Sequence, residues 1–153
     1  MKMNKNLALL MAIFLLVTLL SGCGENKGKK ITDIIQGAET VIVKGVETDT
    51  VEASIGAFEG KQGDYIEFRF DEPQTFNTVF ITEKTATIRQ YNIYAEIDGK
   101  ATLIHTGKHI LNENITIDET TASAIKIEVV NTEIGNDHFV IQGVSAYNIP
   151  EGE

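Results

Sequence analysis

GDYIEFRFDEPQTFNTVFITE, residues 63–83, is the stretch on which the fold turns. In its first half Ile66, Phe68 and Phe70 interleave with Tyr65, Glu67 and Arg69. Successive side chains of an extended strand point to opposite faces, so period two marks a strand with one face in a core and one toward water. Asp71-Glu72-Pro73-Gln74 reads as a turn, because proline presets φ and acids collect at turns. The β-branched and aromatic run at 78–82 reads as a second strand.

The same pattern continues outward. Residues 88–97 alternate longest, with Tyr91, Ile93, Ala95 and Ile97 on one face, and end at Asp98-Gly99. Asp-Gly is a strong two-residue hairpin signal, so 102–105 is the returning strand. Further strands are expected at 41–43, 114–117, 124–130 (Ile125, Ile127 and Val129 inward) and 139–147. Helical spacing is confined to 32–38. About eight short strands with turns between them and almost no helix predict an all-β domain, a β-sandwich of jelly-roll type.

The first 22 residues carry a different signal. Lys2 and Lys5 precede an uncharged stretch, 7–20, of 14 residues. Spanning a bilayer takes roughly 18–20, so residues 1–22 read as a secretory signal peptide and not as a permanent anchor. Leu20-Ser21-Gly22-Cys23 resembles a bacterial lipobox. That resemblance implies cleavage before Cys23 and lipidation of its sulfur, which gives the only cysteine of the chain a use. Two or more acyl chains anchor stably. The expected location is therefore the cell membrane, lipid-anchored on its extracytoplasmic face, with membrane lipid as a partner. Residues 23–30, the acylated Cys23 and GENKGKK, read as a flexible tether. Residues 31–150 are one domain, without repeats.

Cleavage would leave 131 residues, enough for a real core, with a net side-chain charge of −11. No basic stripe exists beyond the tether lysines, which excludes nucleic acid as a partner, since phosphate contacts supply most of that affinity.

Three segments, in order and at matching spacing, resemble the discoidin family, also called the F5/8 type C domain, and the related galactose-binding-like carbohydrate modules. They are residues 63–83, then RQYNIYAEIDGKATLIHTG at 89–107, then TASAIKIEVVNT at 121–132. The first shows Pro73, Phe76 and Asn77 where the family has its Pro turn and Phe-Asn strand, with Tyr65 at the usual tryptophan. The second matches the Asp-Gly-Lys hairpin and Thr-Gly ending. The resemblance spans 41–148 and implies a galactose-binding-like β-sandwich whose binding loops gather at one end. Those loops fall at about 52–62, 83–87 and 131–138, and Phe58, Arg89, Asn136 and His138 are the candidate ligand-binding residues.

Two departures matter. The family often holds calcium in an early Asp-Gly loop, but here Lys44-Gly45 replaces Asp-Gly, and an ammonium repels a cation and donates no oxygen. Glu47 and Asp49 are the remaining calcium candidates; no other cofactor is expected. The chain also lacks tryptophan, the usual stacking platform for sugars.

No phosphate loop, zinc-protease helix or nucleophile elbow is present, and the adjacent acids sit at turns, so no catalytic role is expected. The sequence reads as a non-catalytic surface lipoprotein that binds carbohydrate through one loop end. The alternative is a protein-interaction or envelope-assembly module without a sugar site, its partner an envelope protein.

Overall fold

The computed structural model describes residues 30–48, 57–110, 112 and 114–150. Cys23, Asp49 and the expected signal peptide, residues 1–22, therefore lie outside the described residues. The chain divides into two units, Met1–Lys30 and Ile31–Glu153, and the described strands all belong to the second.

A short 3-10 helix, Ile34–Gly37, is capped by Asp33, whose Oδ1 accepts from Ile35 N at 3.1 Å. Eight strands follow: β1 Thr40–Val43, β2 Val46–Thr48, β3 Phe58–Lys61, β4 Tyr65–Glu83, β5 Ile88–Ile97, β6 Lys100–Gly107, β7 Asn114–Thr132 and β8 His138–Tyr147. All pairings are antiparallel.

The turn expected at 71–74 does not reverse the chain. The two runs on either side of it form one 19-residue strand, β4, and the runs at 114–117 and 124–130 likewise merge into the 19-residue β7. Both long strands change partners at bulges. Residues 66–69 of β4 lie between β1 and β7, whereas 78–80 lie between β7 and β8. The register slips between Arg69 and Gln74 and again between Phe76 and Thr78. Pro73 falls inside the first slip, where its missing N–H breaks no ladder bond. Strands that cross between layers through bulges make the corners of a β-sandwich. One layer runs β2-β1-β4-β7-β5-β6, and β8 with its neighbour β3 continues from the far half of β4.

The inward faces meet in one core. Phe68, Phe76, Phe139, Ile81, Ile88, Ile93, Ile125, Ile127 and Ile141 are fully buried. Each such side chain contributes about 1.5–3 kcal/mol. Two close approaches fix the packing. A Cβ on Gly107 would lie 2.1 Å from Tyr91 Cζ, and one on Gly60 would lie 2.4 Å from Phe139 Cζ. The two short hairpins close as Lys44-Gly45 and Asp98-Gly99, each with positive φ at both residues, the geometry that matches strand twist.

That first hairpin occupies the place where the resemblance put a calcium loop. Lys44 Nζ lies 3.5 Å from Asp64 Oδ2. Glu47 stands within β2 opposite Ile42. Its charge acts on Arg69, whose guanidinium is held above its ordinary value first by a hydrogen bond to Glu67.

Both ends of the domain leave from one side. Asp33 Oδ1 also accepts from Ala146 N (3.0 Å) near the end of β8. Asn77 clamps the tail, donating to Ile149 O at 2.7 Å and accepting from Ile149 N at 2.9 Å. His138, at the start of β8, is eight residues from Ala146, about 26 Å away at the usual strand rise.

Candidate functional site

Three connections meet at the His138 end. Gln62 N donates to Asp137 O (3.1 Å) and Gly63 N to Val129 O (2.7 Å), which ties the β3–β4 turn to β7 and the β7–β8 loop. Glu133 N donates to Thr87 O (2.8 Å), which ties that same loop to the β4–β5 connection. Asn136 N closes a turn onto Glu133 O at 2.9 Å, with Gly135 at φ +84°. The expected gathering of loops is present at 62, 84–87 and 131–137; of the loop expected at 52–62, residues 58–61 instead form β3 and 52–56 lie outside the described residues, while Glu83 and His138 are the ends of β4 and β8.

The β4–β5 connection is built around a buried acid. Glu83 Oε1 accepts from Thr87 N (2.7 Å), Thr87 Oγ1 (2.8 Å) and Ile88 N (2.9 Å). A carboxylate oxygen is one of the few groups that can satisfy three converging donors. Its Oε2 is buried without a hydrogen-bond partner among the described residues. This arrangement sets the path of the chain into Arg89.

Arg89 sits at that junction. Its Nη1 donates to Ala86 O at 2.7 Å, and its Nη2 lies 3.0 Å from Glu133 Oε1. Asn136 Oδ1 accepts from His138 N at 3.3 Å, and His138 Nε2 lies 3.5 Å from Asp137 Oδ1. Arg89, Asn136 and His138 therefore belong to one end of the molecule. Phe58 does not present its ring there. It is 6% exposed and packs edge-on against Phe139, centroids 5.3 Å apart. Its expected role as a ligand-facing aromatic is corrected to that of a core residue. Phe58 pairs with Ile141 in β3–β8, and the pleat turns both side chains inward.

Sequence reasoning missed the apolar group that does face solvent. Ile134 is 101% exposed. It stands between two adjoining depressions. One, of about 450 Å³, is lined by Gln62, Asn131, Glu133, Asn136 and Asp137; the other, of about 410 Å³, is lined by Arg89, Asn131 and Glu133. Ile134 was visible in the sequence as the one large apolar residue in NTEIGNDH, 131–138. A lone aliphatic gives no parity signal, so nothing in the sequence separated it from a core residue.

A larger depression, about 710 Å³, lies near the opposite end of β8, lined by Asn77, Asn114, Asp118, Glu119, Ile149 and Pro150. Asn77 spends both ends of its amide on Ile149. That wall is a clamp on the chain's own tail. Elsewhere, on the outer sheet face, Lys126 Nζ covers the rings of Tyr94 (4.5 Å) and Tyr65 (5.3 Å).

No family model matches the chain, and no curated protein matches it. Solved structures do. The family 32 carbohydrate-binding module of C. perfringens NanJ, in complex with galactose, shares 19% identity with a TM-score of 0.63, over 78% of this chain and 100% of that one. The fold is the galactose-binding-like β-sandwich that this module shares. The family 32 module of AlyQ, in complex with 4,5-unsaturated mannuronic acid, shares 19% identity with a TM-score of 0.59, over 73% of this chain and 96% of that one. SpGH29 shares 17% identity with a TM-score of 0.64 over 78% of this chain, which spans only 28% of the SpGH29 chain. At these identities the likeness is one of fold.

Proposed function

We propose that this chain is a non-catalytic, lipid-anchored module that binds glycan at the end formed by residues 62–64, 84–89 and 131–138. The observation that carries the reading is the rim of amide side chains around Ile134. Gln62, Asn131 and Asn136 bring amide N–H donors beside an exposed apolar surface, while the Asn131 and Asn136 oxygens already accept from Thr132 N (3.0 Å) and His138 N (3.3 Å); donors beside an apolar face suit a sugar's hydroxyls and its C–H face. The fold neighbours support it, since one was solved with galactose and another with an unsaturated mannuronic acid.

The anchor belongs to the same proposal. Acylation at Cys23 would tether the chain to the outer face of the membrane through residues 24–30.

One observation favours a second reading, a protein-interaction module. Ile134 is aliphatic, and an exposed isoleucine suits a protein partner as well as a sugar ring. A glycan array probed with the full chain in detergent separates the two. Binding to a defined set of glycans, weakened by Ile134→Asp, supports the sugar site. Silence across the array at millimolar glycan removes it in favour of a protein partner.

A further inference from the structure

We infer that the loop end selects glycans free of carboxylate and sulfate groups; the inference rests on the reading of this end as a sugar site. A site that holds an anionic sugar needs a cation with unspent donors, most often an arginine whose fork faces the ligand. Among the described residues, Arg89 is the one arginine or lysine that lines either depression beside Ile134, and it lines the smaller. Its guanidinium is already engaged on both terminal nitrogens, with Ala86 O at 2.7 Å and Glu133 Oε1 at 3.0 Å. A uronate bound at Arg89 would lie beside the Glu133 carboxylate, 3.0 Å from Nη2.

The remaining charges point the same way. Glu133 lines both depressions and Asp137 lines one. Lys61, opposite His138 in the β3–β8 ladder, and Lys84, which follows β4, stand near but line neither. Residues 31–150 carry eight lysines and arginines against 19 aspartates and glutamates, a net of −11. A field of that sign lowers the local concentration of any polyanion. Neutral hydroxyls meet no such penalty, because the amides of Gln62, Asn131 and Asn136 and the carboxylate of Asp137 can all pair with them.

The test is a glycan array of matched pairs, each neutral oligosaccharide beside its carboxylated or sulfated counterpart, probed with the full chain in detergent. At about 0.05 M salt, where screening is weak, the charged partner should bind at least ~10-fold more weakly than the neutral one. The gap should narrow at about 0.5 M salt. Glu133→Gln removes the competing negative charge from beside Arg89 and should raise binding of the carboxylated partner several-fold. Carboxylated glycans bound as tightly as, or more tightly than, their neutral partners would overturn the selection while leaving the sugar site intact. An array silent for both classes would instead remove the sugar site, and the selection with it. A Glu133→Gln variant with unchanged discrimination would show that Arg89 is not the withheld cation.

Discussion

Arg89, at the start of β5, and Glu133, in the β7–β8 loop, are far apart in sequence but joined: Nη2 of one lies 3.0 Å from Oε1 of the other, and both line the smaller of the two depressions beside Ile134. The Glu133 backbone N–H reaches Thr87 O at 2.8 Å, so the same two segments are bound twice. Arg89 is about one-third exposed and Glu133 about half exposed. Exposed pairs contribute about 0–1 kcal/mol. Arg89→Ala should therefore lower stability by less than about 1 kcal/mol, measured by urea denaturation, while weakening glycan binding. A much larger stability loss would show that the pair holds the fold and not the site.

Ile134 separates binding from folding more cleanly still. It is fully exposed, and surface changes away from special features usually stay within about ±0.5 kcal/mol. Ile134→Asp should leave the melting temperature near wild type and abolish most of the glycan signal. Wild-type binding by this variant would remove the apolar platform from the account.

Glu83 shapes the loop that leads to Arg89. Glu83→Ala would leave Thr87 N, Thr87 Oγ1 and Ile88 N without their acceptor. Orphaned buried donors cost about 1–3 kcal/mol each at most. The alanine variant should lose several kcal/mol in equilibrium unfolding, and Glu83→Gln, which keeps an acceptor oxygen, should lose distinctly less. Equal losses would mean that the carboxylate's hydrogen bonds are not what matters.

The core variants test the corrected place of Phe58. Phe58→Ala should cost about 3–5 kcal/mol, as for other buried aromatics, with glycan affinity preserved in the fraction that stays folded. Gly107→Ala should cost about 1–3 kcal/mol, because the added methyl overpacks against the Tyr91 ring. Thermal unfolding of the two variants beside wild type measures both, and an unshifted transition in either would contradict the packing described for that residue.

These residues also show what one sequence can reveal. The alternation Ile66-Phe68-Phe70 fixed strand and inward face together, because period two is a direct imprint of burial. Asp98-Gly99 named its own hairpin through a backbone requirement. Asp71-Glu72-Pro73-Gln74 misled because a bulge and a reversal use the same residues; only pairing to β7 tells them apart. The loop end was located by resemblance to a family, and its contents were not legible. Phe58 and Ile134 are both lone apolar residues in polar stretches, yet one fills the core and the other faces water. Parity in a ladder decides between them, and ladders are set by residues distant in sequence.

His105 gives the domain a pH dependence. Burial beside Tyr91 lowers its pKa below the ordinary value of 6.5. The unfolded chain therefore binds that proton more readily, so stability is full above pH 6.5 and falls as pH drops through the lower folded value. Melting curves from pH 7.5 to about 5.5 should show a decline that His105→Gln flattens. A slope unchanged by the substitution would assign the effect to other groups.

On the function proposed above, ligand binds at the His138 end of the sandwich. Amide chemical-shift mapping of the full chain in detergent, titrated with the strongest glycan from the array, tests it most directly. Shifts should be confined to Gln62, Gly63, Thr87, Arg89 and residues 131–138. Shifts centred instead on Asn77, Asn114 and Ile149, where the larger depression lies at the other end of β8, would contradict it.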